Sequence, residues 1–257
     1  MINIEERFTE LLDKTKTDDD SAALCNFLEN EITKTFKNYN NYIKLFFERA
    51  LEINPDDENL WQIYLDFHRE KIKDKEYTLT LLKRATKFCF FNYVFWVLLI
   101  RQMEFTSMPF EKIQEVIGKA YASAEDENFL SEIWKATLEY SVRNFDFTIE
   151  QLTSIRQTFS SAISDIQAKG NNDYILRILL ILAEFEVYKA KDENQMNDLM
   201  NRIVKISPTA ENWRIYISYS KYFGNVENIR KIYKRALGFC KEDKNLLAEA
   251  WVMWEKM

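Results

Sequence analysis

Apolar residues along this chain recur at intervals of three and four, the spacing of one helical face. The clearest stretch is Asn212 to Cys240, NWRIYISYSKYFGNVENIRKIYKRALGFC. Trp213, Tyr216 and Tyr219 form a stripe on a first helix; Ile229, Ile232, Tyr233, Ala236 and Leu237 form one on a second. Gly224 stands between them, where a residue free to adopt a left-handed backbone ends the first helix. A pair of helices this short cannot bury both stripes alone, so the pattern predicts similar neighbours.

Those neighbours recur on two anchors. The first is a tryptophan in a leading helix: Trp61, Trp96, Trp134, then Leu182 in a degenerate unit, then Trp213 and Trp251. The second is a small residue in the following helix. It is Ala50 in FFERALEI, Ala85 in LLKRATKF, Ala120 in VIGKAYAS, Ala162 in TFSSAISD, Ile203 in LMNRIVKI and Ala236 in IYKRALGF. Successive second anchors lie 35, 35, 42, 41 and 33 residues apart, and the two sets alternate strictly. Tyr64 and Tyr216 each follow their tryptophan by three residues. Trp61, Tyr64, Ala85, Trp96, Ala120, Trp134, Ala162, Trp213, Tyr216 and Ala236 are therefore expected to pack repeat against repeat.

Laid on these anchors, the chain predicts helix pairs at 21–37 and 39–53, 57–72 and 76–88, 92–105 and 109–123, 128–144 and 148–167, 173–190 and 192–205, and 209–222 and 225–239. A short helix over 3–13, with Phe8, Leu11 and Leu12 apolar, precedes them. The acidic stretch Thr17 to Ser21 ends it and offers Asp20 or Ser21 as a cap for the next helix. Pro55 and Pro208 close one helix ahead of Trp61 and Trp213, and Asp56, Asp57 and Glu58 suit the dipole of the helix they precede. Pro109 fits the first turn of its helix, and Lys169 to Asp173, KGNND, is the expected flexible point. A last helix, from about 244 to 257, has no partner, although its Trp251 and Trp254 repeat the spacing of Trp213 and Tyr216. An uncapped repeat exposes an apolar end. That end implies either a longer protein or a second subunit over it. The expectation is an all-α, TPR-like α-solenoid over 1–257: a short first helix, about six helix pairs and an unpaired last helix.

Composition agrees with helices and narrows the function classes. Only four Gly and three Pro occur in 257 residues, too few for a turn-rich β fold. The net charge of −6 argues against a chain-wide nucleic-acid surface. Residues 1–20 lack the apolar core of a signal peptide, and apolar runs such as Ile178 to Ala183 are too short to span a bilayer. Cys25, Cys89 and Cys240, odd in number and far apart, fit a reducing compartment, cytosol or nucleus.

Trp-x-x-Tyr in a leading helix, followed by Arg-x-x-Tyr-x-Arg-Ala-Leu, resembles the half-a-TPR (HAT) repeats of RNA-processing scaffolds. The match is clearest in FFERALEINP with ENLWQIYLDF and in the Asn212 to Cys240 stretch, and it runs over residues 20–257. The fifth unit, with Leu182 and Ile203, departs from the pattern. The succession FFERAL to LWQIYLDF, a widened fourth unit ending near SAISDIQAKG, and YFGNVENIRKIYKRAL is similar to the carboxy-terminal HAT half of U4/U6 snRNP recycling factors. That resemblance implies a nuclear, non-catalytic scaffold for U4/U6 snRNP assembly in pre-mRNA splicing. It further implies a homodimer through the carboxy-terminal repeats. Partners would be snRNP or other RNA-processing proteins, with RNA contacted indirectly or weakly; a direct RNA-binding module, or an adaptor that recruits a deubiquitinase, is the alternative from another class. Crooked-neck-like spliceosome factors and the HAT scaffold of mRNA 3′-end cleavage and polyadenylation share the motif and remain alternatives.

Candidate chemistry follows the repeat. The tryptophans could stack bases, but five of the six occupy the anchor slot, which points to packing. Arg49, Arg84, Arg202 and Arg235, with Lys119, recur at one repeat position. They could track a phosphate backbone or each pair with an acid while the stem covers apolar surface. Arg84, Lys231, Lys234 and Arg235 are the candidate RNA contacts, along with the run Lys71, Lys73, Lys75. Leu246, Leu247, Trp251, Met253 and Trp254 are the candidate dimer interface. His68, the single histidine, has no cysteine or carboxylate set at metal-ligand spacing. Cys89 and Cys240 fall in equivalent slots and read as packing residues. With no Gly-rich phosphate loop, Ser/His/Asp set or HExxH, no catalytic residue, metal, cofactor or membrane association is expected.

Overall fold

The computed structural model describes residues 4–18, 21–169, 172–240 and 244–256, and the side chains of all of these except 16–18, 169, 244 and 246. Among the described residues there is no β-strand, and the fold is all-α. Contacts divide it into two compact units, Met1–Ile133 and Trp134–Met257.

The first unit contains α1 (Ile4–Asp18) and α2 (Ala22–Asn26), the latter continuing through a π-helical turn, Phe27–Ile32, into α3 (Thr33–Thr35). Then follow α4 (Asn40–Ile53), α5 (Glu58–Phe67) with a π turn at His68–Ile72, α6 (Lys75–Phe88), α7 (Tyr93–Phe105), α8 (Phe110–Ala122) and the start of α9 (Glu127–Arg143). The second unit holds the rest of α9, then α10 (Ile149–Lys169) and α11 (Asn172–Phe185), which ends in a π turn at Glu186–Ala190. After it come α12 (Glu193–Ile206), α13 (Ala210–Phe223), α14 (Val226–Phe239) and α15 (Lys244–Glu255). Each predicted pair is present with ends shifted by two residues or fewer; α1 runs to Asp18, beyond the expected 13.

Local chemistry explains the boundaries. Asp57 caps α5 by accepting from the Asn59 and Leu60 amides, and Asp74 caps α6 in the same way. Asp192, Thr209 and Asn225 cap α12, α13 and α14. Ser21 stands at the start of α2 without a side-chain capping bond, and Pro109 precedes α8 as its cap residue instead of entering the first turn. Gly224 ends α13 at φ 73°, where a side chain would be strained. Asp19 and Asp20 of the acidic stretch, and Gly170 and Asn171 of KGNND, lie outside the described residues.

The π turns correct the repeat register. Each inserts one residue into the helix, and the two at His68 and Glu186 close on a left-handed lysine, Lys73 at φ 59° and Lys191 at φ 55°. Trp61 precedes Ala85 by 24 residues and Trp213 precedes Ala236 by 23, but Trp96, whose helix has no π turn, also precedes Ala120 by 24, so the closing lysine is the better marker of register. Lys73 lies 12 residues past Trp61; the residue 12 before Lys191 is Leu179. Leu179 therefore fills the tryptophan slot of the degenerate unit, and Leu182 fills the slot of Tyr64. Leu179 is fully buried and Leu182 nearly so.

The core of the second unit is one contiguous cluster from Leu138 to Leu247, built around Phe159, Leu179, Met200, Trp213, Tyr216 and Tyr233. In the first unit Trp61, Tyr64, Phe47 and Phe95 are fully buried, and Trp96 clusters with Ala120, Phe129 and Ile133. The anchor alanines 50, 85, 120, 162 and 236 have no exposed surface. A small residue there lets neighbouring helices approach closely, so a larger side chain would have to displace a packed neighbour. Among the described residues no helix is long and apolar enough to cross a membrane.

Candidate interaction surfaces

In the first unit the arginine, tryptophan and tyrosine of the repeat converge on one carboxylate. Trp61 is buried and its indole N–H donates to the Pro55 carbonyl at 2.7 Å. The Arg84 guanidinium lies 5.2 Å from that ring centroid, and Phe88 stacks on it at 6.3 Å. Arg84 also donates to both oxygens of Glu48, at 2.9 and 2.8 Å. Glu48 precedes the anchor Ala50 by two residues, whereas Arg84 immediately precedes Ala85 of the next repeat. The Tyr64 and Tyr77 hydroxyls donate to the same carboxylate at 3.1 and 3.3 Å. Burial alone would push the Glu48 carboxyl up, but the hydrogen bonds and charge of Arg84, with both tyrosines, hold it below its ordinary value.

The second unit repeats the geometry with a neutral acceptor. Arg235 lies 5.3 Å from the Trp213 ring, on which Phe239 stacks at 5.9 Å. Its guanidinium donates to Asn201 Oδ1 at 2.8 Å. Asn201 occupies the Glu48 slot, two residues before Ile203. The Tyr216 hydroxyl donates to Asn201 and Asn197 at 3.3 and 3.1 Å. The Arg235 charge is thus met by a ring and an amide, and the buried Trp213 indole N–H reaches no acceptor.

Placed in the structure, the candidates separate. Trp61, Tyr64, Ala85, Trp96, Ala120, Ala162, Trp213, Tyr216 and Ala236 are buried, and Trp134 is half-buried against the core of the second unit. The arginine slot is not a uniform row of cations. Arg84 is ion-paired, Lys119 pairs with Glu115 on its own helix at 2.6 Å, and Arg49 lies over Phe8. Lys231, Lys234 and Arg235 are exposed.

The last helix is held onto α14. Trp251 and Trp254 stack on Tyr233 at 5.7 and 5.9 Å. Arg230 donates to both oxygens of Glu255 at 2.7 Å, and the Trp251 indole donates to one of them at 3.0 Å. Those bonds, Arg230 first, hold the Glu255 carboxyl down at about 2. Leu247, expected at a dimer interface, is 1% exposed and belongs to the unit's own core, because α15 turns that face inward. The Leu246 side chain lies outside those described. The outward apolar residues are Met253 and Val252, at 65% and 53% exposure.

Two buried polar sites sit at the same point of the repeat, the first residue of a π turn. His68 is fully buried, with its ring stacked on Tyr77 at 4.6 Å, and Lys44 lies 4.5 Å from the Tyr77 ring. Burial, helped by the Lys44 charge and opposed by Asp74, pushes the imidazole down to about 4. Glu186, at 1% exposure, instead takes Arg156 Nε and Nη2 at 2.8 and 2.6 Å, and Arg156 also bonds Asp192 at 3.0 Å. Cys89 and Cys240 are buried at equivalent helix ends, with Sγ 3.3 Å from the Asp56 carbonyl and 3.6 Å from that of Pro208. Burial, with Glu58, Asp56 and Asp57, pushes the Cys89 thiol up to about 12, which suits packing and not nucleophilic attack.

No family model matches the chain. Curated proteins that do match are named spliceosome associated factor 3, U4/U6 recycling protein. That of Danio rerio is 24% identical over 210 residues, that of Homo sapiens 25% over 211 and that of Mus musculus 24% over 211. The chain is similar to U4/U6 recycling proteins. Each match covers 76% of this chain and 22% of the relative, so the chain spans about a fifth of their length.

Within this chain similar to U4/U6 recycling proteins, the anchor spacing did not single out Glu48, Asn201, Arg156 or Glu186. The usable signal was the residue two places before each small anchor, where Glu48 and Asn201 stand. For Arg156 and Glu186 no such signal existed, since their partnership depends on a π turn.

Proposed function

We propose that this chain is a non-catalytic helical-repeat scaffold acting in U4/U6 snRNP recycling during pre-mRNA splicing, in the nucleus. The observation that carries the reading is its 24–25% identity, over 76% of its length, to proteins named U4/U6 recycling protein. The packing supports a scaffold: the repeated aromatic and basic residues mostly serve one another, leaving helix surfaces as the working part. Residues 1–257 form a single repeat array in this reading, because both units carry the same anchors. Immunoprecipitation of the full-length protein from nuclear extract should enrich U4 and U6 RNA over U1. Recovery of 3′-end cleavage factors, or of a deubiquitinase without snRNP components, would replace the recycling role.

The same reading makes a second copy of the chain the partner of α15, where Val252 and Met253 face outward. Sedimentation at tens of micromolar, roughly where weak interfaces still associate, should give a dimer that Val252→Asp with Met253→Asp converts to monomer. A monomeric parent chain would remove the dimer from the proposal.

A further inference from the structure

The first unit holds a groove of about 470 Å³ whose lining carries four cations, Arg69, Lys73, Lys75 and Arg101, against one acid, Asp74. In a chain of net charge −6 this is a local reversal of sign. The π turn His68–Ile72 contributes Arg69 and ends in left-handed Lys73. The Asp74 carboxylate is committed to capping α6, accepting from the Glu76 and Tyr77 amides at 3.1 Å each. The Arg69 and Lys73 side chains are exposed and form no hydrogen bond or ion pair with another described residue. Asp66, Glu70, Glu76 and Glu104 stand on the same helices but do not line the groove.

Between the cations the lining is aliphatic. Leu65 and Leu82 are buried and Leu98 is half-buried. Gln102 donates to the Lys75 carbonyl at 3.0 Å, tying the start of α6 to α7. Lys75 Nζ sits 3.9 Å from the ring centroid of the exposed Phe105.

We propose that this groove docks an acidic segment of a partner protein, with one apolar side chain seated on Leu65, Leu82 and Leu98 and flanking carboxylates on Arg69 and Lys73. Arginine forks match carboxylates well, and an apolar anchor in a desolvated pocket gives such contacts their strength. The features favour a peptide over single-stranded RNA. Bases need open aromatic faces, and here the floor is leucine while Lys75 already lies over the one lining ring. The inference goes beyond the recycling reading and does not depend on it, since binding is measured with no snRNP present.

The test uses the full chain and fluorescein-labelled acidic nonapeptides, each with one leucine or phenylalanine among Asp and Glu, followed by anisotropy. A leucine peptide should bind in the micromolar range and weaken about tenfold when its leucine becomes serine. Arg69→Ser with Lys73→Asn should cost about tenfold; asparagine tolerates the left-handed backbone, and an unchanged melting curve shows that the variant folds. Lys231→Ser with Lys234→Ser, in the second unit, should leave affinity unchanged. No binding by any peptide, or affinity indifferent to the Arg69 and Lys73 variant, overturns the proposal. So does oligouridylate binding more tightly than every peptide and losing affinity in that same variant.

Discussion

His68 and Glu186 hold the same place in the repeat, yet one unit buries a neutral ring there and the other a charged carboxylate. In each, a π turn follows, a left-handed lysine closes it, and an aspartate caps the next helix. The arginine slot shows a similar exchange: Arg84 meets the carboxylate of Glu48, whereas Arg235 meets the amide of Asn201. The backbone pattern and the apolar anchors therefore define the repeat, and its polar partners vary while the geometry holds. A buried group must still be satisfied by whatever its own unit supplies, so the two units should fail differently when those partners are removed.

The largest difference is expected from Arg156→Ala. It strands Glu186, a carboxylate with almost no exposed surface, and breaking one side of a buried pair costs about 3–5 kcal/mol. Glu186→Gln should cost less, because it removes the buried charge along with the pair. Urea unfolding of both variants checks the order; equal small losses would mean that the carboxylate is not truly buried.

Acid should act through the first unit instead. The imidazole of His68 titrates near 4 when folded and near 6.5 when unfolded. As pH falls, the unfolded chain takes up the proton first, so the stability tied to neutral His68 is complete above about 6.5 and lost progressively toward 4. At about 1.4 kcal/mol per pH unit, the loss is of the order of 3 kcal/mol. His68→Phe should flatten unfolding free energy across that window. An unchanged slope would assign the acid sensitivity elsewhere.

Smaller effects separate the two tryptophan slots. Glu48→Gln removes the charged acceptor of Arg84 and should cost about 2 kcal/mol, since hydrogen bonds to charged groups exceed neutral ones. Trp61→Phe leaves the Pro55 carbonyl without its donor, whereas Trp213→Phe deletes an N–H that reaches no acceptor. The first should be costlier by about 1 kcal/mol. Thermal melts of the pair suffice, and a larger loss at Trp213 would mean that its indole N–H has an acceptor after all.

Most of the helix layout was legible from spacing, because burying one helical face demands a periodic apolar stripe and the anchors supply it. What spacing could not reveal was the single extra residue of a π turn. Aligning the left-handed lysines that close two of these turns puts Leu179, three residues before Leu182, in the tryptophan slot, and one such turn supplies Arg69 to the groove. The interaction residues were less legible. Arg84 and Arg235 look identical in sequence, and only the residue two places before the previous anchor, Glu48 or Asn201, distinguishes a cation paired with a carboxylate from one held by an amide. Leu247 and Met253 both lie on the last helix, and which of them faced outward depended on how α15 seats against α14.

Converting one unit's chemistry into the other's gives the smallest effect and the sharpest comparison. Asn201→Glu offers Arg235 the kind of acceptor that Arg84 already has. Arg235 is exposed, so the new pair should add only about 0.5 kcal/mol at low salt, and the gain should fade as salt screens it. Arg235→Ala in the same background should abolish the gain, and the double-mutant cycle isolates the pair from any change in Tyr216, whose hydroxyl shares the acceptor. A gain that survives Arg235→Ala would mean that position 201 acts through Tyr216 and not through the arginine. In that case the correspondence between Glu48 and Asn201 would be one of place in the repeat, without a shared role in holding the cation.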